Sequence, residues 1–148
     1  MKLGVRWAGV LATAAAGLFA MLPASAGAGE PTTPRNGTYS GAGAEVSSPA
    51  YGVQLGFTLK GGTVTVTAAG FTLPSCSGGT SFPPVALGPN RFETTSSSSN
   101  SEVNRLTGRW VSDTKVRGKV VLERPSAASC GDPGTYVYKY TAKRYGRA

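Results

Sequence analysis

Histidine is absent from all 148 residues. That removes the Ser–His and Cys–His nucleophile–base pairs and the commonest zinc ligand sets. What remains for chemistry is carboxylates, two cysteines and serines. A glycosidase needs two acids held at a fixed separation across a cleft. The candidates are Glu45, Glu93, Glu102, Asp113, Glu123 and Asp132. Most fall in turns or on predicted outer faces, and no spacing pairs them. Ser112-Asp-Thr-Lys115 matches the Ser-x-x-Lys element of penicillin-recognising enzymes, but it falls in a predicted hairpin turn and its companion motifs are missing. No Walker loop or dinucleotide fingerprint occurs. The expectation is therefore a non-enzymatic protein with no catalytic residue, metal site or cofactor. A small secreted enzyme or enzyme inhibitor, using carboxylates or a loop, is the alternative.

Cys76 and Cys130 are the two cysteines. Their separation rules out a Cys-x-x-Cys redox pair, and in an exported protein an even pair reads as a structural disulfide. Free thiols are the other reading. Export itself is written at the start of the chain. Lys2 and Arg6 precede an uncharged apolar run from Ala8 to Leu22, then Pro23 and the small-x-small site Ala24-Ser25-Ala26. The organisation expected is a signal peptide over 1–26, a flexible linker over 27–36 and a secreted β domain over 37–148. No cysteine stands at the cut, so no lipid anchor is implied, and no later run is long enough to span a membrane. Loss of Lys2 and Arg6 leaves 13 basic residues against seven acidic, a charge of +6. Such a protein is drawn to polyanions, although basicity also serves solubility.

Two surfaces could bind. Arg105, Arg109, Lys115, Arg117 and Lys119 share the parity opposite to the apolar residues of one predicted hairpin. They read first as a solvated face that resists edge pairing, and alternatively as a site for an anionic cell-wall polymer. Tyr136, Tyr138 and Tyr140 repeat at period two. That comb fits either a platform for sugar rings or a row packed in the core. Neither surface implies sequence-specific nucleic-acid recognition.

The elements that must carry these residues are strands. From Tyr51 to Gly70, Val53, Leu55, Phe57 and Leu59 alternate with small or polar residues, then Gly61-Gly62 turns the chain, then Val64, Val66 and Ala68 alternate. The loop length places Leu59 opposite Val64, Phe57 opposite Val66 and Leu55 opposite Ala68, all on one face. Parity fails after Gly70, where Phe71 requires a bulge or a strand end. A second hairpin spans Asn104 to Glu123. A three-residue loop, Ser112-Asp-Thr114, sets Trp110 against Val116, Gly108 against Gly118 and Leu106 against Val120. It also sets Arg109 against Arg117, an unfavourable opposition that a bound polyanion would offset. The paired glycines leave room for a large side chain from elsewhere. Trp110 is expected in the core. Thr38 to Ala44, Arg91 to Thr95 and Thr135 to Lys143 read as further strands. Leu73 to Asn90 reads as a long loop with a short strand near Ser81 to Leu87, Ser96 to Ser101 as a polar tip, and Lys143 to Ala148 as a basic tail. The sum is an all-β domain of seven to eight strands, a single antiparallel β-sandwich or small β-barrel.

The order of motifs resembles a family of small secreted β-domain proteins of high-GC Gram-positive bacteria, largely uncharacterised. The residues that carry the resemblance are Gly37-Thr-Tyr-Ser-Gly41, Phe57-Thr-Leu-Lys-Gly-Gly-Thr-Val64, Cys76, Phe92, Leu106-Thr-Gly-Arg-Trp110, Gly118-Lys-Val-Val121, Cys130 and Tyr140-Thr-Ala142. The resemblance implies export, a β fold and a disulfide, and no activity. Leu106-Thr-Gly-Arg-Trp110 also echoes a strand of avidin-like barrels, but the tryptophan-rich ligand cage of those proteins is missing.

Overall fold

A computed structural model describes residues 32–99, 101–126 and 130–148. The expected signal peptide therefore lies outside the described residues. Among those described there is no helix, and nine strands form one antiparallel sheet. They are β1 (Gly37–Glu45), β2 (Gly52–Lys60), β3 (Thr63–Leu73), β4 (Cys76–Gly79), β5 (Val85–Ala86), β6 (Arg91–Ser97), β7 (Val103–Ser112), β8 (Lys115–Arg124) and β9 (Gly134–Gly146). The order across the sheet is β4-β3-β2-β1-β9-β8-β7-β6, with β5 beside β3. One continuous sheet curls into a half-barrel, so the architecture is the barrel-like form of the expected all-β fold.

The β2–β3 hairpin turns at Gly61 (φ 55°) and Gly62 (φ 76°), the left-handed pair that a primed turn needs. Leu59 faces Val64 and Phe57 faces Val66, as the pattern requires. The register then shifts between Gly56 and Phe57, so Leu55 faces Ala69 rather than Ala68. Thr67 is the extra residue. The bulge thus lies before Ala68 instead of after Gly70, and it is what turns Phe71 and Leu73 inward, where both are buried. The β7–β8 hairpin keeps all three expected core pairs. Its turn is tighter than expected, because Ser112 pairs with Lys115 and Val111 is bulged out, leaving Val111 exposed.

Two other segments differ from expectation. The loop after Leu73 folds straight back as β4 along β3, and the short strand near Ser81 to Leu87 contracts to Val85–Ala86. Lys143 to Gly146 is strand and not tail: β9 continues along β1, with Lys143 opposite Ser40 and Arg144 opposite Tyr39. Arg144 holds this end by donating from Nε to the Asn36 carbonyl at 2.9 Å.

Aromatic contact curls the sheet. Tyr39 and Phe57 stack at 5.1 Å, and Trp110 meets them edge-on at 5.7 and 6.3 Å. Phe92 lies 5.5 Å from Phe57 and 5.6 Å from Trp110. Phe57 on β2 and Phe92 on β6 stand far apart in the sheet order, so they meet only because the sheet closes over them. Each such ring pair adds about 0.5–1.5 kcal/mol beyond its buried area. Trp110, Phe57 and Tyr39 are at most 1% exposed, so side chains fill the interior. The sheet edges are joined by side chains: the Thr94 hydroxyl donates to the Pro83 carbonyl at 3.0 Å, and the Thr80 and Ser96 hydroxyls lie 3.1 Å apart. Cys76 of β4 is bonded to Cys130, 54 residues on, before β9. Closing a loop of that length is worth about 4 kcal/mol in the chain-entropy model.

Candidate polyanion-binding face

Alternation sends every second residue of β6 to β9 outward, and many of those residues are basic. Register then sets like charges side by side. Arg91 pairs with Arg109 across β6–β7, and Arg109 with Arg117 across β7–β8. Lys119 pairs with Lys139, and Lys115 with Lys143, across β8–β9. Neighbouring strands stand about 4.8 Å apart and successive outward residues about 7 Å apart along a strand. The cations therefore form a compact grid. A shallow groove of about 730 Å³ runs over it, lined by Arg91, Arg109, Arg117 and Lys119 together with Glu93, Val85 and Pro89.

Three of the acids are held in ion pairs, while Glu93 also lines the groove and Glu123 lies exposed on the outer side of β8. Among the described residues, ion pairs join Arg35 to Asp113 at 2.6 Å, Arg105 to Glu93 at 3.5 Å, and Arg124 to Glu102 at 2.7 Å. None reaches Arg109, Arg117, Lys119 or Lys139. Glu45 accepts from the Ser47 hydroxyl and from the amides of Ser47 and Ser48. The Ser47 hydroxyl, with the backbone donors behind it, holds this carboxyl below its ordinary range against a smaller opposing effect of burial. These are positioning contacts for turns and strand ends, and they bring no two carboxylates together across a groove.

Of the predicted basic residues, Arg109, Lys115, Arg117 and Lys119 lie on this face, with Lys115 half-buried and the others exposed. Arg105 sits at its margin beside Glu93. Arg91, Lys139 and Lys143 were not foreseen. Lys139 and Lys143 alternate with buried Tyr138, Tyr140 and Ala142, which was the available signal. Their neighbours on β8, however, depend on a pairing that no local pattern states.

The tyrosine comb is corrected as a sugar platform. Tyr138 is fully buried and Tyr140 is 3% exposed, so neither presents a ring face to solvent. Tyr140 fills the space left by Gly108 and Gly118: a Cβ on either glycine would run into its ring or hydroxyl. Its hydroxyl donates to the Thr107 carbonyl at 3.0 Å, and that of Tyr138 to the Thr72 carbonyl at 2.7 Å. Burial pushes both phenols up, Tyr138 to about 12, where nearby Glu45 adds to the effect. Tyr136 packs against the core from its margin and donates to the Asp132 carbonyl at 3.0 Å.

No protein-family model matches the chain, and no curated protein matches it. A solved structure, EF1p2_mFAP2b bound to DFHBI, is similar over 74% of this chain and 92% of its own, at 9% identity and a TM-score of 0.45.

Proposed function

We propose that this chain is an exported, non-catalytic β domain that binds an anionic polymer of the cell envelope through the outer face of β6 to β9. The observation that carries the reading is the opposition of like charges in four register pairs: Arg91–Arg109, Arg109–Arg117, Lys119–Lys139 and Lys115–Lys143. Each opposition costs a fraction of a kcal/mol in the free protein. A phosphate or carboxylate laid between two cations reverses the sign of that term. A solubility role asks only for charge somewhere on the surface, and does not ask for cations set opposite one another on four adjacent strands. The apolar leader and the Cys76–Cys130 bond support export to an oxidising compartment. The resemblance to small secreted β-domain proteins supports the same place of action.

The test is retention of residues 27–148 on beads carrying linear poly(glycerol phosphate), against neutral dextran beads. Retention on the first alone is expected, and replacing Arg109 and Arg117 by Ser should abolish most of it at low salt. Equal retention of the variant would remove the face from the account.

A further inference from the structure

The interior carries a second feature, on the opposite side of the sheet from the basic face. Going along β7, the inward residues run Trp110, Gly108, Leu106 and then turn polar at Asn104, with buried Glu102 just ahead of the strand. Along β8 they run Val116, Gly118, Val120, Leu122 and then Arg124. The barrel therefore changes from an aromatic core to a polar mouth within one turn of the pleat. Asn104 is 4% exposed and Arg124 is 5% exposed. Arg124 pairs with Glu102 through Nη1 at 2.7 Å and stacks its guanidinium over Phe71 at 4.9 Å. Asn104 donates from Nδ2 to the Thr80 hydroxyl at 3.1 Å and more weakly to that of Ser96 at 3.4 Å. These contacts leave two buried atoms without a partner, Asn104 Oδ1 and Arg124 Nε. Both residues line one cleft of about 370 Å³, with Cys130 at its rim.

Buried polar atoms are normally satisfied, and an apolar pair would close this end of the barrel at lower cost. We infer that the mouth is a binding site for a neutral polyhydroxy ligand of about the size of one sugar residue. Glu102 cancels the charge of Arg124, so the cleft offers no net attraction to an anion. What it offers is one unused acceptor and one unused donor. A hydroxyl answers both, since it donates and accepts. The volume lies near the lower end of small-molecule clefts, about 300–1,000 Å³, which suits a single small ring and not a chain. The disulfide fixes the rim by tying β4 to the segment before β9, so the cleft is preorganised.

The experiment is amide and side-chain NMR of nitrogen-labelled residues 27–148, disulfide intact. It follows the Arg124 Nε–H and Asn104 Nδ2 signals during titration with glucose, galactose or N-acetylglucosamine, and with acetate as an anionic control. The expected result is saturable, millimolar shifts of both signals with at least one sugar, none with acetate, and loss of the response in Asn104→Leu. The Trp110 indole signal reports whether that variant keeps its fold. If it does not, Ser96→Ala serves as the second variant and should weaken the response several-fold. The Arg109→Ser/Arg117→Ser protein should bind the sugar unchanged, which separates this site from the polyanion face. Absence of a saturable shift with all three sugars, or a response to acetate alone, would overturn the inference.

Discussion

Replacing Arg109 by Gln should make the free protein more stable. Arg109 stands between Arg91 and Arg117 in register, so its charge takes part in two oppositions at once. A directly opposed like-charged pair costs about 0.2–1 kcal/mol, and exposure to solvent favours the lower half of that range. Removing both should therefore stabilise by about 0.5–1 kcal/mol. Gln keeps part of the stem that lies along the sheet, so little packing is lost. For a domain of this size the gain corresponds to about 2–4 °C in Tm. Lys143→Gln relieves one opposition, with Lys115, and should gain about half as much. The assay is thermal unfolding by circular dichroism at two salt concentrations. At about 0.01 M salt the screening length is about 30 Å and the gain is full; at about 1 M it is about 3 Å and the gain should vanish. An Arg109→Gln protein no more stable than its parent at low salt would refute the reasoning, as would a gain that persists at high salt.

Other consequences follow from the same geometry. Replacing Cys76 and Cys130 by Ser should cost about 3–4 kcal/mol in urea unfolding and loosen the rim of the polar mouth. Gly118→Ala should cost about 2–3 kcal/mol by the same assay, because a Cβ there runs into the Thr107 carbonyl and the Tyr140 ring. Gly61→Ala, with open space around it and only a left-handed φ to penalise, should cost about 1 kcal/mol. Stability should hold level from mild acid to about pH 10 and then fall. Tyr138 and Tyr140 ionise in the unfolded chain near 10 but in the fold only higher, Tyr138 at about 12, so alkali favours unfolding across that window. Tyrosinate absorbance followed with circular dichroism should show ionisation of these two residues only as the fold is lost. On the acid side, the depressed carboxyl of Glu45 contributes stability above 4.5 that is lost as pH falls below it.

The strands were legible where structure is local. In both hairpins the apolar alternation and the turn length agree, and together they fix Leu59 opposite Val64 and Trp110 opposite Val116. The bulges at Thr67 and Val111 were not legible at the right place, since one extra residue leaves each flanking run intact and only the partner strand reveals where it enters. The end of β9 was hidden by composition. Lys143, Arg144 and Arg147 look like a solvated tail, yet Ala142 and the β1 partner carry the strand on to Gly146. The basic face was half legible. Arg109 opposite Arg117 follows from one hairpin, but Arg91 joins through the β6–β7 turn, which reads in sequence only as a polar tip, and Lys139 through β8–β9, which no tight turn connects. The tyrosine row had two readings in sequence. The gap left by Gly108 and Gly118 decides it for Tyr140, because that side chain is what fills the room the glycines provide. Asn104 and Arg124 share the parity of Leu106 and Leu122, but no local pattern shows that two polar side chains stay buried there; the curled sheet does.

The central claim is that the grid of cations on β6 to β9 is a binding face, and the salt dependence of binding reads it most directly. Fluorescence-detected binding of residues 27–148 to poly(glycerol phosphate) should weaken linearly in log–log coordinates as salt rises. With the seven cations of the four register pairs engaged and about 0.7 counterions released for each, as for single-stranded polyanions, the slope should be about −5. The Arg109→Ser/Arg117→Ser protein should bind with a slope shallower by about 1.4. A slope near zero, or one that the double substitution leaves unchanged, would contradict the account.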